Sequence, residues 1–214
     1  MSFAIIIPAQ EKNRYHKLGD IAPFGDTTLL EWKISQCKEF AKSSQIYISS
    51  ESEVIREIAE NEEVNFIKRE PNLSYIDVVI NSISKVKEEN IVWINCTAPF
   101  LNSKNYKQMI DRFLNEKLDS LITVEKKNEY VFFKNERLNF SDEFISRKDI
   151  EPIYTITNGC YIIKKDIAIS IKNLLTKNPL FFELDSFESI EINDIKDYVF
   201  AKELINMYFK KELI

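Results

Sequence analysis

Short runs of β-branched residues alternate with amphipathic segments along most of the chain, and this alternation constrains the fold more than any other feature. Residues 3–7 form a continuous apolar run, which is typical of a strand buried on both faces. Further strands are predicted at residues 45–49, 64–68, 91–95 and 120–124. Strand–helix units in series imply a parallel sheet with helices on both faces, because each connection crosses over one face of the sheet.

The amphipathic segments predict the helices. Apolar residues recur at helical spacing from Leu30 to Ala41 and from Ile76 to Ile83. Ser50 with Glu53 three residues later is a capping-box pattern, and Ser103 is expected to cap another helix.

The regular alternation of strand and helix patterns ends in the last third of the chain. Residues 130–133 and the polar stretch 134–148 indicate an insertion or hairpin, and 160–163 returns to strand. A last short strand is predicted at 190–193, before a helix from about 194 to about 211. We predict one α/β domain over residues 1–214: a three-layer α/β/α sandwich with a mostly parallel, Rossmann-like sheet. A small excursion near 126–155 is expected to pair two copies of the chain.

Composition excludes several classes of protein. A net charge of −5 argues against broad neutralisation of nucleic-acid phosphates. No apolar run approaches the roughly 18 residues of a membrane span, and no basic leader is seen, so a cytoplasmic location is expected. Three cysteines without CxxC spacing indicate neither a disulfide framework nor a zinc site, and His16 is the one histidine.

Glycine is scarce. With three glycines in the whole chain, neither GxGxxG nor GxxxxGK[ST] can be formed, so a nucleotide site would need another phosphate cradle. Residues 8–14 follow the first strand and offer backbone N–H groups, with Lys12, Arg14 and Lys17 as cations for phosphate. An ordinary solvated loop has the same composition, and both interpretations stay open.

Two other segments carry polar side chains after predicted strands. If residues 190–193 form a strand, Glu191 and Asn193 project from one face as oxygen ligands suited to Mg²⁺, although an edge strand facing water has the same pattern. Asn95 and Thr97, at the end of a predicted strand, can hydrogen-bond a ligand. Asn158-Gly159 offers a similar position beside Tyr161, although N-G pairs are most often plain turns. Cys96 and Cys160 are expected in the core.

In this order, the segments resemble the acylneuraminate cytidylyltransferase (CMP-sialic acid synthetase) family. Residues 8–30 resemble its first motif, and 49–55 and 94–101 resemble its S-T-D-S-E-E-I and L-Q-P-T-S-P-L-R motifs. Residues 147–161 resemble R-Q-D…N-G-x-x-Y, and 190–198 resemble I-D-I-D-T-x-x-D-F. The resemblance spans nearly the whole chain and implies a nucleotide-diphospho-sugar transferase-like fold.

The chain departs from the family at several motif positions. Gln10 stands where the family has arginine, and Glu11-Lys12 replaces a glycine pair. Arg14 aligns with a phosphate-binding lysine and Asp20 with an asparagine near the nucleotide. Leu101 replaces an arginine beside the acceptor pocket. At the metal motif, Glu191 and Asn193 stand where the family has two aspartates.

The resemblance implies transfer of CMP from CTP to an acidic sugar, with Mg²⁺ as cofactor, pyrophosphate as product and a homodimer as the assembly. It implies catalytic roles for Arg14 and Lys17 and a metal site at Glu191 and Asn193. The implied nucleotide-binding residues are Ala9, Gln10, Lys12, Arg14, Asp20, Arg69 and Ser74. The implied acceptor-binding residues are Asn95, Thr97, Arg147, Asn158 and Tyr161.

Two alternatives stay open at this point. One is a nucleotidyltransferase of the same fold that acts on a phosphate or phosphonate acceptor, which Gln10, Leu101 and Asp20 favour. The other is a binding protein that kept the fold and lost the chemistry.

Overall fold

A computed structural model of the protein describes residues 2–141 and 145–209, with the backbone alone at 208 and 209. Its strands are β1 (Phe3–Pro8), β2 (Pro23–Phe24), β3 (Thr27–Thr28), β4 (Ile46–Ser50), β5 (Asn65–Lys68), β6 (Asn90–Ile94), β7 (Ser120–Lys127), β8 (Phe132–Phe133), β9 (Glu136–Arg137), β10 (Ile153–Lys164) and β11 (Leu180–Leu184). Its α-helices are α1 (Leu29–Lys38), α2 (Glu53–Asn61), α3 (Tyr75–Ser84), α4 (Ser103–Asn115), α5 (Lys165–Ile171) and α6 (Ile195–Phe209).

Seven strands form one sheet in the order β11-β7-β10-β6-β1-β4-β5. Strand β1 pairs in parallel with β4 and β6, β4 with β5, and β7 with β11, whereas β10 runs antiparallel between β6 and β7. The predicted mostly parallel sheet is therefore confirmed. The continuous apolar run of β1 explains its central place, because its residues from Ala4 to Ile7 are fully buried.

Alternate residues of β1 enter two separate cores, one on each face of the sheet. Ile5 and Ile7 belong to a cluster that takes in buried residues of α1, α2, α4 and α6. Ala4 and Ile6 belong to a second cluster with buried residues of α3 and α5. Helices therefore cover both faces, and the predicted three-layer α/β/α sandwich is confirmed.

Two predicted helix caps are wrong. Ser52, not Ser50, caps α2 by accepting a hydrogen bond from the Ile55 N–H at 3.1 Å, because Ser50 still belongs to β4. Asn102, not Ser103, caps α4 through the Asn105 N–H. A reciprocal capping box does occur at the start of α1, between Thr28 and Glu31.

The predicted strand at 190–193 is also wrong, since the structure assigns no strand there. The Ile192 N–H donates to the Thr97 carbonyl at 2.8 Å, and Thr97 lies in the loop beyond β6 rather than in a strand. Strand β11, which the sequence reasoning missed, forms the edge of the sheet beside β7. The predicted terminal helix corresponds to α6, and its predicted end near residue 211 lies outside the described residues.

The excursion contains a short hairpin, as predicted. Strands β8 and β9 pair antiparallel, and residues 142–144 of the excursion lie outside the described part of the chain. Strand β10 is longer than the predicted 160–163, because its first residues, 153–156, pair with 124–127 of β7.

The three cysteines are buried and unpaired, which confirms Cys96 and Cys160 as core residues. Among the helices that the structure describes, none combines the length and the apolar character required to cross a membrane.

Candidate functional site

The order of the sheet reverses beside β1. The chain places β4 and β5 on one side of β1 and then returns to place β6 on the other side. Carboxyl ends of parallel strands diverge at such a point and leave a crevice for ligands. A cavity of about 590 Å³ lies there. Its lining contains these predicted site residues: Gln10, Arg14, Asp20, Arg69, Asn95, Thr97, Asn158, Tyr161, Glu191 and Asn193.

The loop after β1 forms one wall of the cavity and folds back on itself. The Asp20 N–H donates to the Gln10 carbonyl at 2.8 Å, and the Gln10 N–H donates to the Asp20 carboxylate at 2.7 Å. Gly19 makes this return possible: its φ is +52°, and a Cβ there would lie 2.1 Å from the Gln10 oxygen. A glycine is thus retained where two backbone segments touch, although the family's glycine pair is absent.

Asp20 is the buried carboxyl group on which this loop closes. The Tyr15 hydroxyl donates to its other oxygen at 2.7 Å. Burial raises the pKa of Asp20 to about 6, while the hydrogen bonds from Tyr15 and Gln10 and the charge of Arg69 act in the opposite direction. Burial and the neighbouring Asp20 charge also raise the pKa of Tyr15. The carboxyl group is therefore a structural acceptor at the base of the cavity.

Arg69 supplies a buried cation to the same wall. It follows β5, and its Nη2 donates to the Ala9 carbonyl at 2.7 Å. Burial lowers the pKa of Arg69, and the charges of Glu51 and Asp20 oppose that shift. An arginine stays protonated under these conditions, so a positive charge faces the cavity next to the first loop.

The opposite wall is a hydrogen-bonded set of side chains around Asn158. Its side-chain Nδ2 donates to Glu191 Oε1 at 2.9 Å, and its backbone carbonyl accepts from Asn95 Nδ2 at 2.6 Å. The Tyr161 hydroxyl donates to Asn158 Oδ1. These contacts bring together residues from three predicted motifs that are far apart in the sequence.

Arg14 joins the two walls of the cavity. Its Nη2 donates to Asn193 Oδ1 at 3.2 Å, although the two residues are 179 positions apart in the sequence. The first loop and the segment before α6 therefore meet directly, with a guanidinium group between them. A guanidinium group in the lining of a cavity is suited to an anionic ligand such as a polyphosphate.

Five residues that the sequence predicts for the site do not line the cavity. Lys12, Lys17 and Arg147 are exposed, and Ala9 is buried with its carbonyl bound to Arg69. Ser74 caps α3 by accepting from the Asp77 N–H at 3.3 Å. Of the predicted phosphate-binding cations, the structure brings Arg14 to the cavity.

Sequence reasoning missed an apolar side of the cavity. Its residues come from the start of α3 and from the loop after α5. Apolar positions at helical spacing indicate packing and do not distinguish a core from a cavity wall, so the sequence contained no separate signal. The apolar lining residues on this side are Leu73, Tyr75, Ile76, Val78, Val79, Leu174 and Leu175.

Glu191 and Asn193 fit the chemistry of a magnesium site. Both line the cavity and supply a carboxylate and an amide oxygen, the hard donors that Mg²⁺ prefers. In residues 2–141 and 145–209, no three His, Cys, Asp or Glu side chains cluster closely enough to hold a metal ion by themselves. Mg²⁺ commonly binds through one or two protein oxygens and takes its other ligands from water and phosphate.

Comparisons with known proteins give matches along most of the chain. Residues 4–185 match the model of a family described as "Cytidylyltransferase". Over 206 residues the chain is 23% identical to the "Post-translational flagellin modification protein B" of Campylobacter coli. The alignment covers 87% of each of the two chains. The chain is 18% identical over 168 residues to an "N-acylneuraminate cytidylyltransferase" of Streptococcus agalactiae, and spans 41% of that protein's length.

A solved structure shows the same fold. It is CMP:2-keto-3-deoxy-manno-octonic acid synthetase complexed with CTP, which superposes with a TM-score of 0.73 at 12% identity and covers all of both chains.

Proposed function

The chain belongs to the cytidylyltransferase family and is a nucleotidyltransferase, and from that membership we propose that it transfers CMP from CTP to an acidic sugar of the nonulosonate type. The observation that carries the proposal is the cavity at the reversal of the sheet, in which Arg14 and Arg69 face an acceptor-rich wall. Relatives whose names specify CTP or an N-acylneuraminate support this choice of substrates.

The reaction joins a hydroxyl oxygen of the sugar to the α-phosphorus of CTP. The bond from that phosphorus to the bridging oxygen breaks, pyrophosphate leaves with the electron pair, and the hydroxyl proton passes to solvent. Such a transfer demands positioning and charge stabilisation rather than covalent work by the protein. Arg14, at the junction of the two walls, is assigned to the triphosphate.

We assign a separate role to the residues of each wall. Asp20 and Gly19 hold the first loop in its folded-back shape, and Arg69 fixes the Ala9 carbonyl. Asn95, Thr97 and Tyr161 lie on the side assigned to the acceptor. Glu191 and Asn193 would hold Mg²⁺, which neutralises phosphate charge when bound.

A pyrophosphate-release assay tests the proposal. The protein is supplied with CTP, Mg²⁺ and a panel of acceptors: nonulosonic acids, neutral sugars, sugar phosphates and phosphonates. We expect release with CTP and a nonulosonic acid, and much less with ATP, GTP or UTP. Release with a phosphate or phosphonate acceptor instead would move the acceptor class to the alternative, and equal release with all four nucleotides would exclude a cytidylyl preference.

The hairpin of the excursion supports a homodimer. Phe132 and Phe133 are each 61% exposed and Leu138 is 57% exposed, although all three are large apolar side chains. Exposed apolar groups gathered on one small projection favour association. We therefore assign the hairpin to a contact between two copies of the chain.

A further inference from the structure

We propose that Asn158 is a positioning residue, which holds the Glu191 carboxylate and the Tyr161 hydroxyl in the cavity wall while its own backbone is strained. The proposal rests on the proposed function, because the group it positions is assigned to Mg²⁺. It goes further because it assigns Asn158 to the orientation of Glu191, whereas the family resemblance implies that Asn158 binds the acceptor.

The backbone at Asn158 is unusual. Its φ is +32°, a backbone conformation that residues other than glycine rarely adopt. It lies in the stretch of β10 where the pairing with β7 shifts register, between Ile156 and Tyr161. Bulges of this kind redirect side chains and are found next to active sites. The next residue, Gly159, packs so closely that a Cβ on it would lie 3.1 Å from Leu101 Cδ2, so the bulge is fixed against the loop after β6.

Both the nitrogen and the oxygen of the Asn158 side-chain amide form hydrogen bonds. An ionised Glu191 can only accept, so the Asn158 Nδ2 must face it, at 2.9 Å from Oε1. The Asn158 Oδ1 then faces Tyr161, whose hydroxyl donates to it. Its backbone carbonyl accepts from Asn95. One residue thereby connects the wall of β10, the loop after β6 and the segment before α6.

Residue chemistry explains why an asparagine occupies this strained position. Glycine, asparagine and aspartate are the residues that adopt positive φ most readily. Glycine has no amide, and aspartate would place a second carboxylate against Glu191. Among these three, asparagine alone donates to Glu191 and accepts from Tyr161 at once.

The first experiment substitutes Asn158→Gly. Since glycine adopts φ of +32° without strain, we expect the melting temperature to stay constant or rise. The Mg²⁺ concentration that gives half-maximal pyrophosphate release should nevertheless increase by about 10-fold, as is usual when a partner of a metal ligand is lost. Lys117→Gly is the matched control, because Lys117 also has positive φ (+53°) but lies in the turn before β7 and does not line the cavity. It should leave the Mg²⁺ requirement unchanged.

A second measurement needs no turnover. The Asn158 side-chain NH₂ signals, identified in ¹⁵N–¹H spectra by their loss in Asn158→Gly, should shift in Glu191→Gln and in Tyr161→Phe and stay in place in Lys117→Gly. The proposal would be overturned if Asn158→Gly lowered the melting temperature and left the Mg²⁺ requirement unchanged. It would also be overturned if the Asn158 NH₂ signals kept their positions in both Glu191→Gln and Tyr161→Phe. If no acceptor supports pyrophosphate release, the proposed function fails, while the spectra and melting temperatures still decide whether Asn158 positions Glu191.

Discussion

At the scale of single residues, Asp20 links the first loop to the pH of the solution. Its pKa is about 6 in the folded protein and near 4 in an unfolded chain. The folded protein therefore binds the proton more tightly, and the contribution of Asp20 to the free energy of unfolding is largest below pH 4 and falls as the pH rises to 6. The fall amounts to about 3 kcal/mol, with no further change above pH 6.

Asp20→Asn should remove that dependence. In urea unfolding at several pH values, the stability of the native protein relative to Asp20→Asn should decline between pH 4 and 6 and then level off. Tyr15→Phe removes a hydrogen bond that lowers the pKa of Asp20, so it should extend the decline to higher pH. A difference between the native protein and Asp20→Asn that is the same at every pH would contradict the assignment.

Glu191 and Asn193 give a second prediction at this scale. Glu191→Gln keeps an oxygen for the Asn158 amide but removes the charge, so folding should persist while turnover falls on the order of 10²-fold. Asn193→Asp should tighten Mg²⁺ binding, because it gives the metal site a second carboxylate besides Glu191. Pyrophosphate-release rates measure the first effect and calorimetric titration of Mg²⁺ and CTP measures the second, with the exposed Glu183→Gln on β11 as control. Unchanged binding and turnover in Glu191→Gln would exclude the metal assignment.

At the scale of elements, the start of α6 anchors the segment that carries Glu191 and Asn193. Asp194 Oδ1 accepts from the Lys196 and Asp197 N–H groups, and Asp197 Oδ2 accepts in return from the N–H groups of Asn193 and Asp194. This reciprocal cap fixes the helix start and the end of the segment together.

Asp197→Ala should therefore do two things. It should lower the free energy of unfolding by about 1 kcal/mol, as the loss of a helix cap does, and it should raise the Mg²⁺ requirement of turnover several-fold. Asp197→Asn keeps an acceptor oxygen and should retain most of both properties. Urea unfolding and Mg²⁺-dependent rates measure the two effects, and a loss of stability with an unchanged Mg²⁺ requirement would show that the cap serves the helix alone.

The strands and helices that the sequence predicted well are those with two buried faces or a clear apolar stripe, because burial determines their composition. The segment 190–193 illustrates the limit: it is not a strand, yet Ile192 is buried, and Glu191 and Asn193 line the cavity as the pattern predicts. Charge and loop position predict Lys12 and Lys17 as phosphate ligands, but neither property determines the direction of a side chain. The N-G pair marks Asn158 as a turn residue, whereas its place at the centre of a hydrogen-bonded wall depends on a β-bulge that spacing does not encode.

At the scale of the whole molecule, the exposed hairpin leads to a prediction about assembly. Light scattering at micromolar concentration should show a species of about twice the 25.2 kDa chain mass. Replacing Phe132 and Phe133 together by serine should give the monomer with little change in melting temperature, because both side chains lie mostly outside the core. A native protein that scatters only as a 25.2 kDa species would exclude the dimer.

The antiparallel strand β10 also has a consequence for synthesis on the ribosome. Strands β1, β4, β5 and β6 can pair as soon as residue 94 has left the exit tunnel, but the free edge of β6 and the whole of β7 stay without their partner until β10 follows. At 5–20 residues per second, the interval lasts several seconds. During that time the nascent chain exposes one edge of β6 and both edges of β7, so an early chaperone encounter would be directed to residues 90–127 rather than to the surface of the finished enzyme.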